Sequence, residues 1–244
     1  MKRRLALHAT LGLPMALGSL STAAQTPTQA PSPAQTPVAA PPVGEVKALG
    51  LERFQIGRIV VDKRARSFVV PGRVHLFDKP LEYLASSPGG RKAYETLLEL
   101  DASGSEFNLA CILIGLERDP NLPPSKAPGA ATAEGQRVAV SVAWTAGGQR
   151  RQISAAQALL SSEAGATGEA IDWIYTGSFT SRDGSQFAAD HTGSLIGFIH
   201  DPTTIIKSKV AIGVGAYGSV RGNPALPPVG SAIELLVEAV IAGK

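Results

Sequence analysis

The sequence predicts an α+β domain: mostly antiparallel sheet built from hairpins, with two or three short helices, behind a signal peptide and a disordered Pro/Ala/Thr-rich linker. Three observations carry that prediction. After Val46 short apolar runs alternate with turn residues, two Ser-led capping boxes announce helices, and before Val46 neither pattern is present. At 244 residues, 44% hydrophobic and 18% charged, the chain has room for one or two domains with a real core.

Residues 1–24 read as a signal peptide: Lys2, Arg3 and Arg4, a mild apolar run from Leu5 to Leu20, then small residues through Ala24 suited to cleavage. The run is broken by His8, Gly12 and Pro14 and is too short for a stable span, so no transmembrane anchor is expected in the mature chain. Arg3-Arg4 partly matches a twin-arginine signal, but Ala6 stands where a large apolar residue is usual, which favours the general secretory route. Residues 25–46, rich in Pro, Ala, Gln and Thr, form a disordered linker with a reach of roughly 60 Å if extended.

The globular part, 47–244, is then read element by element. Ile56 to Val61 and Ser67 to Val70, around Asp62 to Arg66, form a hairpin. Leu81 to Ala85 and Tyr94 to Leu100 are strands flanking a Pro88-Gly89-Gly90 turn. Ser103 and Glu106 make an S-x-x-E box before Phe107 to Leu116, a buried helix closed by Gly115 and Asp119-Pro120. A loop over 121–135 could divide the domain into halves.

Gln136 to Thr145 and Gln149 to Ile153 form a second hairpin about Ala146-Gly147-Gly148. Ser154 and Gln157 open a short helix to about Ser161. Ile171 to Ser178, Phe179 to Ala188 and Ser194 to His200 are strands, Asp183-Gly184 is a tight turn, and Asp201-Pro202 starts a helical turn through Ile206. Residues 233–241 fit a helical stripe and a strand alternation equally.

Several of these stretches together resemble the YdjY-type family of exported, largely uncharacterised bacterial proteins. They are Val70-Pro71-Gly72-Arg73-Val74, Pro80 to Ala85 before Pro88-Gly89-Gly90, and Tyr94-Glu95-Thr96-Leu97-Leu98. Ala110 to Gly115, Asp172 to Ser178, Gly193-Ser194-Leu195-Ile196, Asp201-Pro202-Thr203 and Gly222-Asn223-Pro224 follow in order. The resemblance covers about Val60 to Glu238 and tips 233–241 towards strand. Some relatives are linked with ferredoxin-type iron–sulfur centres. With Cys111 as its sole thiol, in its most apolar helix, this chain cannot ligate such a cluster.

Other chemistries meet similar tests. Gly213, Gly215 and Gly218 spell G-x-G-x-x-G, yet the following Ser219 to Pro224 cannot open the helix that a dinucleotide site needs, so no cofactor-binding residues are assigned. His75, His191 and His200, with Asp190 or Asp201, have the composition of a transition-metal site. Their spacings match no helical ligand pair, and His200-Asp201-Pro202 reads equally as a turn with a capping acid. The Ser181 to Thr192 segment, with Arg182, Asp183 and Asp190, is either a binding tip or a solvated turn. Arg150-Arg151 reads as a solvated hairpin, and Trp144, Trp173 and Tyr175 as strand packing.

The expected function is a noncatalytic periplasmic or secreted domain that binds an envelope protein or peptide. The alternative is a metal-dependent or small-molecule enzyme using His75, His191 and His200 with Asp190 or Asp201. Nucleic acid is excluded as a partner by charge: the pI near 9.1 comes from the leader. Without Lys2, Arg3 and Arg4 the chain holds 20 basic and 20 acidic residues.

Overall fold

A computed structural model describes residues 44–118, 133–161, 171–181, 183–213 and 219–240. The expected signal peptide, nearly all of the linker, most of the 121–135 loop, Arg182, Gly215 and Gly218 lie outside the described residues.

The strands are β1 (Val46–Gly50), β2 (Arg53–Ile56), β3 (Ile59–Asp62), β4 (Ser67–Val74), β5 (Tyr83–Ser86) and β6 (Thr96–Leu100), and a 3-10 turn at Ala93–Glu95 precedes β6. After helix α1 (Gly104–Leu113) come β7 (Gln136–Ala146), β8 (Gln149–Ser154), β9 (Leu159–Ser161) and β10 (Trp173–Tyr175). Helix α2 (Ala188–Thr192) leads to β11 (Ser194–Gly197), β12 (Ile206–Ser208), β13 (Val220–Gly222) and β14 (Ala232–Ala239).

The predicted α+β class is overturned: the domain is mostly β and eight of its strands close into a barrel, in the order β4-β14-β7-β10-β12-β11-β5-β6 and back to β4. Closure rests on the antiparallel β4–β6 ladder, Gly72 opposite Leu100 and Val74 opposite Leu98. A Cβ at Gly72 would overlap Glu99 O and stand 3.0 Å from Leu100 Cα, so only glycine lets β6 come this close.

Pro71-Gly72, which the sequence reading placed beyond the strand, lies inside β4 at the point where its partner changes from β3 to β6. Pro71 O accepts from Asp101 N on that same edge. In an antiparallel ladder a residue's N and O point to one side, so the missing proline N–H falls at the fork, where no ladder bond needs it.

Ladder partners share a face, and around the barrel one such row runs Val142, Leu235, Val70, Val74, Leu98, Ala85, Ile196 and Ile206. All are buried, whereas Ala139 and Ser141 on the other face of β7 are not, which makes the apolar row the lining. Phe107 meets Phe68, on the same face of β4 as Val70, edge to face at 5.2 Å, seating α1 against the wall.

Local readings fared unevenly. The β3–β4 and β7–β8 hairpins form, the latter on left-handed Gly147 and Gly148, and 232–239 is a strand, but Ile56 to Val61 is not one strand: Ile56 ends β2 and a turn at Gly57-Arg58 leads into β3. The Ser103–Glu106 box caps α1, and Gly115 closes it with Gly115 N–H to Ile112 O and Leu116 N–H to Cys111 O. The Ser154–Gln157 box also forms, at 2.9 and 3.1 Å, yet it opens one turn and no helix, because Leu159 and Leu160 are drawn into the β9–β13 ladder.

Three more expectations give way to tertiary pairing. β5 and β6 run parallel rather than as a hairpin. Phe179 to Ala188 forms a single Thr180–Phe187 bridge and then α2, not a strand, and a left-handed Gly193 ends that helix. Asp201 starts a tight turn instead of a helical one, and Ile206 enters β12 beside both β10 and β11.

Candidate functional site

Where the end of α1 faces the segment after β10, a cleft of about 500 Å³ opens among the described residues. Its apolar wall is Ile112, Leu116, Tyr175, Phe179 and Phe187; Asn108, Glu117, Arg118, Ser178 and Thr180 supply polar groups. Ile112 is 50% exposed although Phe107, Ala110, Cys111 and Ile114 on the same helical segment are buried. Tyr175 donates its hydroxyl to Asn108 Oδ1 at 2.9 Å, tying the barrel wall to the helix. Burial, then the neighbouring Cys111, pushes the Tyr175 hydroxyl pKa above its ordinary value, with Arg118 opposing.

Ser178 is buried and left-handed, with φ 54°. A non-glycine residue there carries strain, held in place here by a hydrogen bond from Ser178 Oγ to Thr203 O at 2.6 Å. The connection continues inward. Thr203 donates from N and Oγ1 to Asp201 Oδ1, at 2.8 and 2.9 Å, and Tyr83 donates its hydroxyl to Asp201 Oδ2 at 2.7 Å. Asp201 is therefore a capping acid whose two oxygens are both engaged.

Charged groups crowd this inner end. Lys207 is 1% exposed; burial pushes its amine down to about 8, opposed by the Asp201 carboxylate. Burial and then the Glu95 carboxylate raise the Glu82 pKa, and burial and then Asp201 raise that of Tyr83. Burial lowers the Lys92 pKa, but hydrogen bonds to Glu95 Oε1, at 2.7 Å, and Tyr94 more than offset it and leave it raised. These groups form a part-buried charge cluster joined to the cleft through Asp201, Thr203 and Ser178.

The residues expected at a metal site sit apart in their bonding. His75 Nδ1 is 3.9 Å from Glu99 Oε2, and Glu99 also pairs with Arg73. Buried His200 donates Nε2–H to Ser208 O at 2.9 Å. Arg91 donates to His191 Nε2 at 2.7 Å, which engages that lone pair. Asp190 accepts from Ser105 N at 2.8 Å and from Ser105 Oγ, capping α1 from α2. The helices approach this closely because Gly104 has no side chain: a Cβ there would lie 2.7 Å from the Ala189 carbonyl carbon. Among the described residues no group of three or more His, Cys, Asp or Glu side chains could hold a metal ion.

The other sequence candidates have local partners. Asp183 accepts from Ser181 Oγ and from Ser185 N and Oγ; those bonds, Ser181's foremost, pull its carboxyl down to about 2. Arg150 pairs with Glu234 at 2.6 Å. Trp144, Trp173 and Tyr175 are buried in strands. Gly213 leads towards β13, and no helix opens between 219 and 224.

The sequence reading missed the cleft. One signal was available: Phe107 to Leu116 is apolar almost all round, whereas a helix on a domain surface needs only one apolar stripe. The surplus is Ile112 on the cleft wall.

No helix among the described residues is long and apolar enough to cross a membrane. No curated protein and no solved structure matches the chain. A model of the YdjY domain matches residues 59–238, which takes in β3, the barrel strands from β4 as far as Glu238 of β14, both helices and the cleft. On that match the chain belongs to the YdjY domain family, an uncharacterised domain.

Proposed function

We propose that this chain is an exported envelope domain that binds its partner without transforming it, and that the cleft beside α1 is the binding site. The observation that carries the reading is Ile112, half exposed on a cleft wall otherwise built from buried or half-buried apolar side chains. An apolar wall with a few convergent polar groups is the ordinary constitution of a ligand site. The strained Ser178 supports it, since backbone strain concentrates where function holds it. Export rests on the leader-like residues 1–24. The partner that suits an open, part-aromatic cleft is a segment of an envelope protein or peptide.

Native mass spectrometry of the chain recovered from the periplasm tests this. The expected result is a bound peptide or partner on the wild type and none on Ile112→Asp. Equal occupancy of both would remove the cleft from the proposal. A stoichiometric metal would instead favour the enzyme reading built on His75, His191 and His200.

A further inference from the structure

We propose that two adjoining turns, residues 51–52 between β1 and β2 and residues 63–66 between β3 and β4, form a tip that docks onto an anionic lipid surface. Leu51, at the first turn, is 97% exposed, more than any other large hydrophobic residue described. A single exposed leucine is commonplace, but Leu49 and Val46 of the same hairpin are 48% and 47% exposed. The two turns are joined: Lys63 N–H donates to Glu52 O at 2.9 Å. Asp62 Oδ1 accepts from Ala65 N at 2.8 Å and stiffens the second turn.

Charge selects the surface. Arg53 and Asp62 lie 4.0 Å apart and largely offset each other. Lys63, Arg64 and Arg66 then face only Glu52 on these turns. Arg66 is drawn inward to Gly115 O, the Lys63 amine stands 5.9 Å over the Phe54 ring, and Arg64 is exposed with no ion pair among the described residues. Apolar side chains beside the exposed Lys63 and Arg64 suit the headgroup boundary of an acidic bilayer: leucine enters the acyl edge while lysine and arginine stay with the phosphates.

The test is co-sedimentation of the full chain with 3:1 phosphatidylethanolamine–phosphatidylglycerol vesicles, against phosphatidylcholine vesicles. All variants share one N-terminus, so a loss seen in a variant belongs to the tip and not to residues 1–43. Selective binding to the acidic vesicles is expected, with a loss of about tenfold for Leu51→Asp and a similar loss for Lys63→Glu with Arg64→Glu. Thermal melts should show these exposed-turn variants folded. Equal binding to both vesicle types, or acidic-vesicle binding unchanged in the variants, overturns the proposal. A concentration-dependent dimer that Leu51→Asp abolishes, without vesicle binding, overturns it in favour of self-association. Ile112→Asp should leave vesicle binding unchanged, which separates this tip from the cleft.

Discussion

The Tyr83 hydroxyl donates to Asp201 Oδ2 at 2.7 Å, joining two residues 118 positions apart in the chain. Tyr83 opens β5, and Asp201 lies in the connection between the parallel strands β11 and β12. That one bond holds the connection whose Thr203 carbonyl fixes Ser178 on the cleft wall.

Tyr83→Phe leaves Asp201 Oδ2 without its protein donor in a part-buried site. A loss of about 1 to 3 kcal/mol in urea unfolding is expected. If the cleft depends on this bond, partner binding should also weaken, although Tyr83 is not among the cleft-lining residues.

Ser178 offers a test of strain by comparison of two variants. Ser178→Ala and Ser178→Gly both lose the bond to Thr203 O, but only glycine accepts φ 54° without a steric penalty. Ser178→Gly should therefore be more stable than Ser178→Ala by about 1 kcal/mol, measured as the difference between their unfolding midpoints.

Lys207 makes stability depend on pH. Its amine falls from 10.5 in the open chain to about 8 in the fold, so between those values the unfolded chain binds more protons and stability rises with pH. The penalty is complete below about pH 8 and relieved as pH passes 10.5. Lys207→Met should stabilise the protein at pH 7 by about 1 to 3 kcal/mol, the lower figure allowing for lost attraction to Asp201. The advantage should shrink between pH 8 and 10.5 in paired urea titrations. A constant difference across that range would show that Lys207 does not titrate there.

Gly72→Ala tests barrel closure. The new methyl meets Glu99 O and the backbone of Leu100 instead of open space. A loss of about 2 to 3 kcal/mol is expected, with hydrogen exchange of β6 amides rising more than that of β8.

Cys111 is fully buried, and burial pushes its thiol pKa well up. An aromatic disulfide reagent should not label the native protein, and labelling in urea should keep pace with unfolding. Fast labelling without denaturant would mean that α1 opens locally.

Much of the local structure was legible because its causes are local. Gly147-Gly148 makes a tight hairpin, Ser103 and Glu106 satisfy a helix start, and Gly115 ends it. The same logic misled past Val70, where the strand it read as ending runs on through Pro71-Gly72 to Val74. It misled again at Ser154–Gln157, where a correct cap opens only one turn. Of the candidate metal residues, Asp190 is held by Ser105 and His191 by Arg91, neighbours that lie elsewhere in the sequence.

By itself the sequence determined the family resemblance, the hairpins with their turn residues, and the single thiol. Those follow from composition, spacing and thiol count, which each residue carries with it. Only the tertiary structure decided that the sheet closes, that β5–β6 and β11–β12 run parallel, and that Ile112, Tyr175 and Ser178 meet in one cleft. An isolated strand has the same alternation in an open sheet as in a barrel. Which edge it finds depends on long-range fit, and here that fit comes down to a missing side chain at Gly72 that lets β4 and β6 meet.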